Sequence, residues 1–246
     1  MATTLLPRSQ RQRGDTSAGE HWLTISDLMA GLMMVFLFIA VALMLIAFEE
    51  RDRIKEVAIA YQDNQVAIYD ALMEEFSEDL TTWQATIDKE TLAFEFQAPE
   101  VIFASGKADL TETYKSILAN FFPRYLAILD RYKSSINEVR IEGHTSSDWA
   151  GAQYAIDAYF YNMGLSQART RSVLQYVYLL PETETQRGWV KTKFAAVGFS
   201  SSRIKTLDGS PEGKEDSDAS RRVTFRVITN ADIQIKRILE AAPLGN

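Results

Sequence analysis

The chain contains no cysteine and only two histidines among its 246 residues. Without cysteine it has no disulfide framework, and the acylated cysteine that anchors a bacterial lipoprotein is also excluded. The two histidines, His21 and His144, lie far apart in the sequence and do not predict a metal site. The formal net charge of −7 argues against direct binding of nucleic acid, because phosphate backbones attract basic surfaces.

Common enzyme motifs are missing as well. The sequence has no Gly-x-Ser-x-Gly nucleophile turn, no phosphate-binding loop and no cluster of metal ligands. We therefore predict that the protein is not an enzyme and that it carries no cofactor and no metal.

One segment lacks charge over an unusual length. From Leu28 to Phe48 there are 21 residues without a charged side chain. As a helix rising about 1.5 Å per residue they would span roughly 32 Å, which matches a hydrocarbon core of about 30 Å. We predict a transmembrane helix over residues 22–48. A cleaved signal peptide is the alternative, but the run is long for a signal core and ends in "IAFEERDR" without a small-residue cleavage site.

The charges that flank this run predict its orientation. Arg8, Arg11 and Arg13 precede it, whereas the segment after it, "EERDRIKE", has mixed charge. Positively charged flanks stay in the cytoplasm. Residues 1–21 are therefore expected to be a short cytoplasmic N-terminus, with everything after residue 48 on the other side of the membrane.

Residues 49–90 contain neither proline nor glycine and predict a helical linker. Apolar residues with one Asn recur at spacings of three and four, which is typical of a coiled-coil seam in a parallel dimer. The alternative is an amphipathic helix that lies on the membrane or on its own domain. The seam positions are Ile54, Val57, Tyr61, Asn64, Ile68 and Ala71.

Strand and helix patterns alternate from residue 91 to 230, before a C-terminal tail of residues 231–246. The predicted strands are "LAFEFQ", "INEVRIEGHT", "KFAAVGF" and "RRVTFRVIT". The predicted helices are "TETYKSILANFFPRYLAILDRY", bent or restarted at Pro123, and "LSQARTRSVLQYVYLL". This order predicts an α+β sandwich with helices on one face of a mixed sheet. The acidic stretch "GSPEGKEDSDAS" is interpreted as a solvated loop, with a cation site as the alternative.

Four segments of this region resemble the motifs of the OmpA-like peptidoglycan-binding domain. They are "IEGHTSS", "NMGLSQAR", "AVGF" and "SRRVTFRV", in the order that the family has. The resemblance implies a helices-on-sheet fold that binds the free carboxylate of a diaminopimelate side chain in the cell-wall peptide. It assigns this binding to Thr145, Tyr161, Asn162, Leu165 and Arg169.

The residue types suit that chemistry. A guanidinium donates two parallel hydrogen bonds to a carboxylate, so Arg169, expected near a helix start, can hold an anion. Asn162 would add amide contacts and Thr145 a hydroxyl at its strand end. The alternative for Arg169 is an ordinary surface ion pair.

The sequence departs from the family pattern at one point. Ser146 stands where the family has an Asp that receives the ligand's ammonium group, and the stretch from there to Asn162 is several residues longer than usual. We expect Asp148, in the inserted loop, to take over that role.

The membrane segment carries a second resemblance, in "WLTISDLMAGLMMVFLFI". A membrane helix with one early Asp, a linker and an OmpA-like domain resembles the flagellar stator B subunit, and more closely the ZorB family of Zorya anti-phage defence systems. The resemblance implies a homodimer in the bacterial inner membrane with a periplasmic C-terminal domain. It also implies several copies of a ZorA-like multi-helix partner, an ion-driven rotary motor, and cytoplasmic effectors that act on phage DNA.

The lone acid Asp27 fits a proton-carrying role. An ionised carboxylate in hydrocarbon is costly, so it pairs with another group, takes up a proton, or alternates between the two states. Ala30 and Gly31 lie on the same helix face and leave space for water or a partner helix. The alternative is that Asp27 or Ser26 caps the helix at the membrane interface.

Two other functions remain open at this point. A flagellar stator subunit would support motility rather than phage resistance. A passive wall anchor would conduct nothing, so it would need Arg169 but not Asp27.

Overall fold

A computed structural model of the protein describes residues 16–97, 102–104 and 106–230. The chain divides into two compact units, Met1–Lys55 and Glu56–Asn246. The predicted C-terminal tail, Pro99 and the arginines before the apolar run lie outside the described residues.

The first helix, α1, runs from Thr16 to Thr82. Its segment Ile25–Asp52 has 28 residues and a mean hydropathy of 2.9, and is long and apolar enough to cross a membrane by length and composition. Large apolar side chains of this segment, such as Leu28 and Phe38, are exposed. An apolar segment that buries nothing within the protein suits a lipid environment.

The second unit is built on a five-stranded sheet with strand order β1-β2-β5-β3-β4. The strands are β1 (Ala85–Asp88), β2 (Ala93–Phe96), β3 (Ile136–His144), β4 (Phe194–Gly198) and β5 (Arg222–Thr229). Strands β3 and β4 pair in parallel and the other neighbours pair antiparallel. The predicted mixed sheet is confirmed, although the short β1 lies in the segment that was predicted as linker.

The longer helices of this unit are α2 (Glu112–Arg131) and α3 (Ala155–Leu179). The Thr111 hydroxyl accepts a hydrogen bond from the Tyr114 amide at 3.2 Å and so caps α2. Helix α2 passes through Pro123 without restarting. Three short helices follow: a 3-10 helix (Pro181–Gln186), α4 (Arg187–Lys193) and α5 (Ser217–Ser220).

An aromatic cluster forms the centre of the core between α2 and the sheet. The Phe121 ring lies 4.6 Å from the Phe94 ring, 5.1 Å from Phe225 and 5.3 Å from Phe76, centroid to centroid. Burial of such rings is a main source of stability. Phe76 belongs to α1, so this helix forms part of the domain core.

The second half of the predicted linker is therefore not a separate linker. Ile68 and Ala71, two positions of the predicted coiled-coil seam, are 0% and 8% exposed because they pack into the core of their own domain. At these positions the alternative, a helix lying on its own domain, is what the structure shows. Ile54 is exposed, and the side chains of Val57 and Tyr61 are outside the described part of the chain.

Arg124 of α2 holds the end of α1 against the domain. Its guanidinium contacts the Glu75 carboxylate at 2.6 Å, the Asp79 carboxylate at 2.9 Å and the Glu75 carbonyl at 2.7 Å. It also lies 4.7 Å from the centroid of the Phe76 ring. Hydrogen bonds, ion pairing and a cation–π contact thus meet at one side chain.

The sheet face away from the core carries a buried charged cluster. On β3, Val139 and Ile141 belong to the core, whereas Glu142 and His144 belong to this cluster. The Glu142 carboxylate lies 3.4 Å from Arg203, 3.5 Å from His144 and 3.6 Å from Arg226. Buried charges persist only where such partners offset their desolvation.

Candidate functional site

A cleft of about 640 Å³ opens where the end of β3, the loop after it and α3 meet the segment before α2. It contains aromatic, aliphatic and charged side chains in a volume typical of a small-ligand site. The residues that line it are Phe103, Ala104, Gly106, Thr145, Ser146, Asp148, Trp149, Ala150, Asn162, Leu165, Arg169 and Arg221.

Arg169 is a buried cation in this cleft and is only 9% exposed. Its Nε donates a hydrogen bond to the Lys107 carbonyl at 2.9 Å, and its guanidinium carbon lies 4.7 Å from the Phe103 ring centroid. Burial, with a smaller contribution from the nearby Arg221 charge, lowers the pKa of Arg169 to about 10. The side chain remains charged at neutral pH.

Within the described ranges, no carboxylate lies within ion-pair distance of Arg169. Arg124, Arg140 and Arg222, in contrast, each have a carboxylate at that distance. The alternative of a surface ion pair is therefore not what the structure shows. The expectation that Arg169 lies near a helix start was wrong, because α3 already begins at Ala155. The feature that makes Arg169 a candidate for anion binding is its buried charge, which has no counter-charge within the part of the chain that the structure describes.

Two close approaches between α3 and the sheet set the depth of Arg169. A Cβ at Gly143 would lie 2.8 Å from the Ser166 carbonyl oxygen, and a Cβ at Gly198 would lie 2.6 Å from the Gln167 amide nitrogen. Only glycine fits so close to backbone atoms. The Ser166 hydroxyl accepts a hydrogen bond from the Ser200 amide at 3.1 Å, which links α3 to the end of β4.

Thr145 and Ser146 lie at the base of the cleft and are both buried. The Thr145 amide donates to the Ser200 carbonyl at 3.0 Å, but its hydroxyl oxygen has no hydrogen-bond partner within the described segments. A buried hydroxyl without a partner is costly. The binding role that the sequence predicted for this hydroxyl stays a prediction, because its oxygen is itself buried.

Asn162 lines the cleft, but its amide nitrogen is already engaged. It donates to the carbonyl oxygens of Ser146 and Asp148, both at 3.1 Å. The amide therefore fixes the loop between β3 and α3. In this structure Asn162 acts on the site through that loop rather than through donors of its own.

Of the remaining predicted site residues, two line the cleft and one does not. Asp148 and Leu165 line the cleft, with Asp148 exposed at its rim. Tyr161 does not line the cleft, and its ring lies 5.5 Å from the ring of Trp149. Trp149, which does line the cleft, was missed because its loop matches no motif.

Arg221 was also missed, although the Arg-Arg-Val motif that contains it was recognised. It lines the cleft and forms an ion pair with Asp218. The two adjacent arginines of this motif were the sequence signal that could have identified Arg221 as a cleft residue. The structure separates their surroundings: Arg221 lies at the cleft, and Arg222 belongs to the charged cluster on the far face of the sheet.

The carboxylates of the acidic stretch bind groups of the protein itself. Glu215 accepts hydrogen bonds from the Ser147 amide at 3.1 Å and from its hydroxyl, and Asp208 accepts from the Ser210 amide at 3.0 Å. Within the described ranges, no three acidic or histidine side chains come together as a metal site would require. The loop interpretation is the one that these contacts favour.

Asp27 lies in the other unit, on α1. It is exposed, and the helix is already formed at Thr16, so Asp27 and Ser26 are internal residues rather than caps. Apart from the adjoining helix backbone and neighbouring residues, no described atom lies within 4 Å of a Cβ placed on Gly31, one turn further on. The helix surface beside the carboxylate is therefore open to a partner.

Comparison with known proteins gives matches to both parts of the chain. Residues 102–217 match the OmpA family. The chain is 55% identical over 221 residues to the Zorya protein ZorB of Escherichia coli (strain ATCC 8739, Crooks), which covers 90% of this chain and 93% of that one.

Two solved structures are similar at lower identity. A putative MotB-like protein from Desulfovibrio vulgaris is 20% identical, with 71% of this chain and 94% of that chain covered at a TM-score of 0.48. The cell wall anchor of the T6SS from Pseudomonas aeruginosa is 20% identical, with 64% and 96% covered at a TM-score of 0.43. The predicted family is confirmed by the sequence identity over nearly the full length of both chains: the protein belongs to the ZorB family, with an OmpA-family domain at residues 102–217.

Proposed function

We propose that this protein is the wall-anchored subunit of a proton-driven rotary motor in anti-phage defence. Residues 22–48 cross the bacterial inner membrane once, with residues 1–21 in the cytoplasm. The domain after the membrane segment binds peptidoglycan in the periplasm. Two copies form a dimer, surrounded by several copies of a ZorA-like membrane subunit.

Wall binding is supported above all by Arg169, a buried cation that faces the cleft and has no carboxylate partner among the residues that the structure describes. The free carboxylate of a diaminopimelate side chain supplies the missing charge, and the guanidinium nitrogens not used by Lys107 can bind it in a fork. The Thr145 hydroxyl, which has no hydrogen-bond partner in the described ranges, donates to the same carboxylate; because its oxygen is buried, the carboxylate must reach the base of the cleft. Asp148 at the rim receives the ligand's ammonium group, and Leu165 packs against its aliphatic chain.

Replacement of Arg169 by alanine tests this site. We expect Arg169→Ala to lower binding of the detergent-solubilised protein to purified sacculi by tenfold or more, because charge-assisted hydrogen bonds contribute roughly 1.5–3 kcal/mol each. Arg171→Ala is the matched control, since Arg171 lies two residues on in the same helix and is exposed. Equal binding of both variants would contradict the proposed site, provided that both retain the wild-type circular dichroism spectrum.

The proton-carrying role is supported by the position of Asp27 within the apolar helix. A carboxylate held in hydrocarbon alternates between a neutral state and an ionised state that a partner stabilises. One elementary charge that crosses 100 mV releases about 2.3 kcal/mol. Several such crossings supply the work of a rotation step when the wall holds the dimer still.

The anti-phage role rests on membership of the ZorB family, and the 55% identity to a Zorya protein favours it over a flagellar stator. A passive wall anchor differs from a proton-driven motor subunit in one respect that an experiment can test. Such an anchor would require Arg169 but would tolerate loss of the Asp27 carboxylate.

A further inference from the structure

Trp149 belongs to the loop between β3 and α3, where this chain is longer than the OmpA-like pattern. It is a half-buried aromatic side chain that lines the cleft together with Arg169. It is not a member of the hydrophobic core cluster. Packing into the core therefore does not explain why a large aromatic residue occupies this position.

The loop holds Trp149 in a defined place. The Asn162 amide binds the Asp148 carbonyl, directly before Trp149. Glu215 binds the Ser147 amide, and the Ala152 amide donates to the Trp149 carbonyl at 3.2 Å. A loop whose backbone is held before binding loses less conformational entropy when a ligand arrives.

The aromatic surface extends beside Trp149. The Tyr161 ring lies 5.5 Å from the Trp149 ring with an interplanar angle of 37°, and Tyr161 is itself exposed. The neighbouring lining residue Ala150 adds apolar surface. This side of the cleft thus presents flat apolar groups, whereas the base presents the polar groups of Thr145 and Arg169.

The cleft is larger than one amino-acid side chain requires. Its volume of about 640 Å³ lies in the range that holds whole small molecules. In peptidoglycan the stem peptide is attached to a sugar, whose pyranose ring has a face of C–H groups and an edge of hydroxyl and amide groups. An indole stacks on such a face through dispersion and weak C–H contacts with its π electrons.

We propose that Trp149 binds a pyranose ring of the glycan strand next to the bound peptide, so that the cleft recognises the sugar–peptide junction rather than the peptide alone. The proposal rests on the proposed wall binding. Arg169 holds the peptide carboxylate, and Trp149, supported by Tyr161, selects a peptide that is still attached to its sugar.

Calorimetric titration of the full-length protein in detergent with two probes tests this. One probe is N-acetylglucosaminyl-N-acetylmuramyl tetrapeptide that contains diaminopimelate, and the other is the same tetrapeptide without sugars. We expect the wild type to bind the sugar-containing probe roughly three- to tenfold more tightly, as one aromatic stacking contact would give. Trp149→Ala should abolish this ratio and leave binding of the free peptide unchanged, while Trp149→Phe should retain part of it.

Tyr154→Ala is the control, because Tyr154 is 68% exposed and does not line the cleft. An unchanged ratio in Trp149→Ala, or an equal loss for both probes, would overturn the sugar contact. A smaller oligomer of Trp149→Ala in size-exclusion chromatography would place Trp149 between subunits and would also overturn it. If the wild type binds neither probe, the proposed wall binding itself fails and the sugar contact fails with it.

Discussion

Arg169 lies within α3, close to the sheet because Gly143 and Gly198 admit the helix backbone. The motif alone predicted an anion-binding role for this arginine, which stays a prediction. It could not show that the side chain packs over Phe103, or that Arg221 adds a second positive charge. Both facts depend on residues distant in sequence, which a local pattern does not contain.

Asn162 shows a different limit at the same scale. Its place in the motif was recognised, but its side chain binds two loop carbonyls instead of pointing its donors at a ligand. These two carbonyls belong to the loop between β3 and α3, which lies outside the motif. Hydrogen-bond partners of a buried amide depend on the whole surrounding backbone.

His144 predicts a dependence of stability on pH. Burial lowers its pKa, helped by the charges of Arg222 and Arg203, although Glu142 opposes the shift. Burial alone would raise the pKa of Glu142, but His144, Arg226 and Arg203 together lower it. For both groups the unfolded chain binds protons more readily than the folded chain, so stability falls as pH decreases.

We therefore expect the free energy of unfolding to decrease as pH falls below about 6.5, the ordinary pKa of histidine. The His144→Gln variant should show a smaller slope between about pH 5 and pH 7, because only the carboxylate contribution at lower pH remains. Urea unfolding followed by tryptophan fluorescence at several pH values measures this. The same slope in variant and wild type would assign the dependence to other groups.

At the scale of elements, four strands and two long helices followed from their hydrophobic periods. Strand β1 was missed because it has only four residues and follows a long helical pattern. The first turns of α3 were missed because Tyr154, Ile156, Phe160 and Tyr161 are exposed apolar residues, which do not follow a helical burial period.

The coiled-coil prediction is wrong at Ile68 and Ala71 for a related reason. A three–four spacing of apolar residues indicates that a helix has one buried face, but not what covers that face. At Ile68, Ala71 and Phe76 the cover is the helix's own domain. Any self-association through α1 must therefore use residues before this part of the helix.

The Arg124 contacts predict a measurable loss of stability at the element scale. Arg124→Ala removes the ion pairs with Glu75 and Asp79 and the contact with Phe76, which together hold the end of α1. We expect the free energy of unfolding to fall by roughly 1–3 kcal/mol, since these partners are partly exposed and solvent weakens the pairs. Chemical denaturation with Arg171→Ala as the control measures this, and an equal stability of the two variants would contradict it.

At the scale of the whole molecule, the chain combines an uncharged apolar run, Leu28 to Phe48, directly preceded by the acid Asp27, with a domain whose cleft carries a buried cation that has no carboxylate partner among the described residues. Neither feature is explained by the stability of its own unit, because each is costly in isolation. A wall-anchored proton motor requires both. Under the proposed function, the cleft would prevent the subunit from turning, and the acid would couple proton transfer to movement of the surrounding partner.

The coupling is tested most directly by proton flux through the assembled complex. The protein and its ZorA-like partner would be co-purified, reconstituted in liposomes with a pH-sensitive dye inside, and energised by a potassium diffusion potential. Asp52→Asn serves as the control, because Asp52 is an exposed acid at the far end of the same apolar segment. Asp27→Asn should abolish the flux and phage protection while the complex still co-purifies, and Asp52→Asn should retain both. Undiminished flux and protection in Asp27→Asn would contradict the proton-carrying role and leave a passive wall anchor.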